Sequence, residues 1–70
     1  MTKLPERLRA LRKSQHLTQA EVAKEMGLVY ISYRRYETGE REPDASTLVR
    51  MADFYQVTLD FLVGRSDRRD

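Results

Sequence analysis

The chain has 70 residues, enough for one domain with a small core, and its lack of cysteine excludes a disulfide framework or a thiolate metal site. No apolar run approaches the ~20 residues that span a bilayer, and the N-terminal MTKLPERLR lacks the apolar segment of a signal peptide, so a cytoplasmic location is expected. The net charge of +2 is unevenly placed: residues 1–35 carry eight Lys or Arg against three Glu, and the remainder carries five against eight acids. That asymmetry suits a basic face turned toward a polyanion with an acidic face turned away, although each single charge also suits a solvated helix surface.

Taken in chain order, Leu4, Leu8 and Leu11 mark the buried stripe of a first helix that starts near Pro5 and ends around Ser14 to His16. Leu17 then enters the core. Thr18 and Glu21 form T-x-x-E, in which the hydroxyl accepts from the Glu21 amide while the carboxylate accepts from the Thr18 amide, a helix start. Val22, Ala23 and Met26 give the second helix one apolar stripe, opposite Gln19, Lys24 and Glu25. Gly27 stops it, since glycine takes the left-handed conformation that closes a helix end. The Ala23 methyl lets a following helix, beginning near Tyr30, cross at close range. This spacing reads as a helix-turn-helix, although two short amphipathic helices joined by any glycine share part of it.

An exposed loop is expected from Thr38 to Pro43. Asp44 caps a fourth helix from Ala45 to about Tyr55, with Leu48, Met51, Ala52 and Tyr55 inward, and Thr58 caps a short fifth helix, Leu59 to Val63, ended by Gly64. No stretch alternates with period two, so the fold class is all-α. The domain is expected over residues 1–64, with RSDRRD at 65–70 a polar tail that stays disordered.

Three segments, LRALRKSQHLTQAEVAKEMG, YRRYETGEREP and DASTLVRMADFYQVTLDFLVG, occur in that order between Leu4 and Gly64. With them the chain resembles the Xre/Cro/cI family of bacterial and phage repressor helix-turn-helix domains. The resemblance implies a compact five-helix lambda-repressor-like fold and a sequence-specific regulator of transcription, most simply a repressor, that binds double-stranded DNA as a homodimer through helix three. It also implies that Arg12 of helix one pairs with Glu37 of the E-x-G motif, a structural tie; the functional alternative for Arg12 is a phosphate contact. Tyr33 and Tyr36 fall at the family's buried positions.

The DNA-facing residues are then Gln19, at the amide-rich start of helix two, and Tyr30, Ile31, Ser32, Arg34 and Arg35 of helix three, with Thr38 and Arg41 in the loop that follows. Tyr30 with Arg34 and Ile31 with Arg35 are spaced i, i+4, so the four form one strip. An arginine there can fork onto guanine, worth about 1 to 3 kcal/mol of discrimination, or grip phosphate; Ile31 and Tyr30 suit thymine methyls. Ser32 suits either a phosphate contact or plain helix surface. The chain departs from the family pattern at Val29, where a Ser or Thr cap is usual, at Tyr30 and Ile31, which are commonly polar, and at Glu40 and Glu42, where lysines are frequent.

No catalytic constellation assembles. His16 stands alone in a turn, no glycine-rich phosphate loop is visible, and the carboxylates are scattered, so no enzyme, no cofactor, no metal and no small-molecule ligand are expected. Two copies can read half-sites about 34 to 36 Å apart. Phe54, Phe61 and Val63, with Val49, are the expected dimer interface unless the phenylalanines complete the core. The alternative of another class is a protein-binding module, an antitoxin or adaptor, that keeps the fold with weak or no specific DNA binding.

Overall fold

The computed structural model describes residues 2–70 and contains five α-helices: α1 Leu4–Ser14, α2 Gln19–Met26, α3 Tyr30–Thr38, α4 Ala45–Tyr55 and α5 Leu59–Leu62. No strand occurs among the described residues. Local chemistry sets most of the boundaries. Thr18 Oγ1 accepts from the Glu21 amide at 3.1 Å while Glu21 Oε1 accepts from the Thr18 amide at 2.8 Å, a complete capping box. Asp44 accepts from the Thr47 amide at 2.9 Å and Thr58 from the Phe61 amide at 3.0 Å.

Helix ends are closed by the left-handed conformation. Gly27 has φ +71, and the Leu28 amide returns to the Ala23 carbonyl at 2.8 Å. Gln56 closes α4 the same way at φ 55 without being a glycine.

Packing follows the apolar stripes. The helix α1 packs on α3 and α5, α2 packs on α3 and α4, and α4 packs on α5. Leu4, Leu8 and Leu11 meet Val22, Ala23, Met26, Tyr33, Tyr36, Met51, Ala52, Tyr55, Phe61 and Leu62 in one core, with Leu17, Leu28, Leu48, Phe54 and Val57 packed at its edge. Ala23, 1% exposed, sits where α2 approaches its neighbours.

The segment after Gly64 corrects the expectation of a disordered tail. The amides of Arg65 and Ser66 bond the Asp60 carbonyl at 2.8 and 3.2 Å, and the Thr58 amide bonds the Arg69 carbonyl at 3.0 Å. Arg7 of α1 reaches across to the Phe61 and Ser66 carbonyls at 3.2 and 3.3 Å and to Asp67 Oδ1 at 3.0 Å. The segment is polar, but its backbone finds donors and acceptors on α1 and α5, which composition does not reveal.

Candidate nucleic-acid interface

The turn between α2 and α3 brings two helix starts to one side of the molecule. Tyr30 lines an open depression with Arg12, Leu17, Thr18, Gln19 and Ala20. A second depression beside it is lined by Ile31, Arg34, Arg35 and Glu40. Val29 takes the N-cap position of α3 with no side-chain cap, so the Tyr30, Ile31 and Ser32 amides have no protein acceptor among the described residues. Such amides, together with the positive end of the helix dipole, favour an anion.

The residues expected to face DNA divide into three groups. Tyr30, Ile31, Arg34, Arg35 and Arg41 are exposed, and Ser32 is half-buried. Thr38 is exposed, but its hydroxyl lies 3.1 Å from the Arg35 carbonyl and 3.0 Å from Glu40 Oε1, so its single proton is already engaged. The Gln19 side chain turns inward, donating from Nε2 to Glu37 Oε1 at 3.0 Å. Its backbone amide, at the first position of α2, remains the group available to a phosphate.

Beneath this face lies the Arg12–Glu37 pair. Arg12 Nε donates to Glu37 Oε2 at 2.8 Å, Nη2 to Oε1 at 3.2 Å and Nη1 to the Leu17 carbonyl at 2.9 Å. Glu37 is 1% exposed and is the buried charged residue of the core. Burial pushes its carboxyl up, but hydrogen bonding by Arg12, Tyr33 and Gln19 outweighs burial and holds it below the ordinary carboxylate range. The same hydrogen bond, opposed by burial, raises Arg12. The hydroxyls of Tyr33 and Tyr55 lie 3.3 Å apart in the core, and burial raises both phenols.

Arg7 and Arg9, counted toward a basic face, and Arg50, read as a solvated surface charge, turn out to hold the fold. Arg9 donates to the Glu37 carbonyl at the end of α3, Arg50 to the Met26 carbonyl at the end of α2 at 3.1 Å, and Arg7 to the Phe61 carbonyl. Arg9 and Arg50 satisfy carbonyls that a helix end leaves open, whereas the Phe61 carbonyl also accepts from the Gly64 amide at 3.1 Å. Nothing in the spacing of arginines along the chain distinguished these from Arg34 and Arg35, because the acceptors lie on other elements.

At the C-terminal side the expected dimer surface is corrected at Phe61. Its side chain is 8% exposed and completes the core, with the Arg7 guanidinium 4.1 Å and that of Arg69 5.5 Å from the ring centroid. Phe54 is half-buried and meets Tyr55 edge-on at 4.9 Å, Val63 is half-buried, and Val49 and Leu59 are exposed. Among the described residues no group of three His, Asp or Glu is placed to hold a metal ion, and no helix is long and apolar enough to cross a membrane.

Five helices with a tight α2–α3 turn, and an exposed α3 carrying two arginines, define a helix-turn-helix domain. The helix-turn-helix family model matches residues 8–62, and the chain belongs to the Xre/Cro/cI family. The transcriptional repressor RstR of the cryptic phage CTXphi from Vibrio cholerae is 43% identical over 63 residues, covering 90% of this chain and 56% of that protein. The HTH-type transcriptional regulator ImmR of Bacillus subtilis is 31% identical over 64 residues, covering 91% and 50%. A transcriptional regulator from Listeria innocua of known crystal structure superposes with a TM-score of 0.84 at 28% identity, covering 91% of this chain and 60% of that one. The chain thus spans about half the length of the curated relatives it matches.

Proposed function

We propose that this domain binds double-stranded DNA sequence-specifically as a homodimer, with α3 in the major groove of each half of a two-fold symmetric operator, and so represses transcription. The observation that carries the reading is the shared side of the molecule on which Tyr30, Ile31, Arg34 and Arg35 stand beside the uncapped start of α3 and the first amides of α2. An α-helix fits the major groove, the arginines suit guanine edges or phosphate, and the free amides suit the flanking backbone. Arg41, exposed in the loop after α3, lines a separate depression with Pro5, Tyr36, Gly39 and Glu42, so its expected phosphate contact is not part of the face built by Arg34 and Arg35.

The reading includes dimerisation on grounds of affinity, because a single short helix reaches few bases and two copies double that number. The candidate surface is Phe54 and Val63 with the exposed Val49 and Leu59, since Phe61 is taken up by the core. The similarity to the transcriptional repressor RstR and the transcriptional regulator ImmR supports a regulatory role.

The test is selection of bound duplexes from a random library at near-physiological salt, repeated with an Arg34→Glu, Arg35→Glu double variant. The expected result is a two-fold symmetric motif with half-sites about one helical turn apart, lost in the variant while its circular dichroism stays unchanged. Only weak, steeply salt-sensitive binding without enrichment overturns the reading in favour of a protein-binding module.

A further inference from the structure

Five large hydrophobic side chains are exposed among the described residues, and three of them are consecutive: Val29 at 70%, Tyr30 at 43% and Ile31 at 45%. They stand at the start of α3, the part of the helix that leads its exposed face. No side-chain hydrogen bond fixes any of the three. Ile31 shares its depression with Arg34, Arg35 and Glu40, whose carboxylate lies 3.0 Å from the Thr38 hydroxyl, and Tyr30 shares its own with Arg12, Gln19 and the first turn of α2.

An apolar strip bordered by guanidinium groups and free amides calls for a partner of matching composition, one that offers small apolar groups inside a frame of anions. The major-groove edge of DNA offers that combination. Its base edges present hydrogen-bonding atoms throughout, and the 5-methyl group of thymine is the apolar feature among them. Isoleucine has no hydrogen-bonding group, so it cannot discriminate bases through donors or acceptors. Its discrimination comes from the apolar area it removes from water.

Resting on the DNA-binding reading above, we infer that Ile31, assisted by Tyr30, is a specificity-determining residue that reads thymine 5-methyl groups, while Arg34 and Arg35 hold the neighbouring guanine edges or phosphates. The exposed apolar strip thereby replaces the hydrogen-bonding readout of a polar recognition helix. The preferred half-site contains at least one thymine whose methyl, and not its hydrogen-bonding edge, is required.

The experiment uses the selected duplex and replaces each thymine in turn with deoxyuridine, which removes one methyl and leaves every hydrogen-bonding group in place. At one or two thymines per half-site the affinity falls about fourfold, and about fifteenfold when both half-sites are substituted together. In the Ile31→Ala protein the thymine-to-uracil preference at the contacted position drops to about one, and in Ile31→Val it is intermediate; both proteins keep the wild-type circular dichroism, because Ile31 is a surface residue. Arg34→Ala weakens binding to both duplexes and keeps the preference. Equal affinity of the wild-type protein for the thymine and fully uracil-substituted duplexes overturns this inference and leaves the DNA-binding reading standing. Failure to select any duplex overturns that reading itself.

Discussion

Arg12 and Glu37 face each other through two parallel hydrogen bonds of 2.8 and 3.2 Å, and the same carboxylate takes a third from Gln19 at 3.0 Å, so one buried anion ties α1, α2 and α3 together. The helix that presents Arg34 and Arg35 is thus held at its C-terminal end to the helix that precedes the turn. Burial makes the arrangement sensitive to loss of either partner. A charge left behind in the core has neither water nor a counter-ion.

Glu37→Ala and Arg12→Ala are each expected to destabilise the domain by about 3 to 5 kcal/mol, a large fraction of the total for a chain this small. Gln19→Ala, which removes one neutral donor, is expected to cost about 1.5 to 3 kcal/mol because its acceptor is charged. Urea unfolding followed by circular dichroism measures all three. A loss below about 1 kcal/mol for Glu37→Ala contradicts a buried pair and matches a solvent-exposed one.

The pH dependence follows from three carboxyls held below their ordinary values of 4.5 for Glu and 3.8 for Asp. Glu21 is lowered by the Thr18 amide and hydroxyl, Asp44 by Thr47, and Glu37 because its hydrogen bonds outweigh burial. Each folded-state value lies below the unfolded one, so the stabilisation is complete above about pH 5 and is lost as pH falls through the folded-state values. Thermal melts between pH 7 and pH 2 are expected to show a plateau and then a steep decline. Asp44→Asn keeps a competent cap and removes the titration, so its melting temperature declines less steeply; an unchanged acid slope contradicts the assignment.

Glycine substitutions separate backbone strain from steric clash. A Cβ at Gly27, φ +71, would meet only Arg50 Nη1 at 3.7 Å, whereas at Gly64, φ +87, it would lie 2.7 Å from Lys3 Cβ and 2.8 Å from its Cγ. Gly27→Ala is expected to cost about 1 to 2 kcal/mol, the strain of a left-handed alanine. Gly64→Ala carries that strain and also pushes the chain away from Lys3, whose amide bonds the Val63 carbonyl at 3.2 Å. Its loss of stability is therefore expected to be the larger, as read by the denaturation midpoint. The reverse order contradicts the packing of the chain start on α5.

The amino-acid sequence by itself determined the starts of α2, α4 and α5 and the end of α2, because Thr18, Asp44 and Thr58 each cap an amide three residues ahead and Gly27 closes its helix with local bonds. The helix α3 runs on through Thr38, expected in the loop, and α5 stops at Leu62, one residue short of the expected Val63. It also determined the core-facing stripes, since Leu4, Leu8 and Leu11 or Val22, Ala23 and Met26 share a face by helical geometry alone. The exposed strip on α3 was legible for the same reason, once Tyr33 and Tyr36 were set inward. The tertiary structure decided what the long polar side chains do. Arg7, Arg9 and Arg50 reach carbonyls on other helices, Gln19 turns to Glu37, and Phe61 goes into the core beneath Arg7 and Arg69 while residues 65–70 fold back beside it. Capping and periodicity act over one helical turn, whereas a guanidinium on a flexible stem finds its acceptor only after the helices have packed.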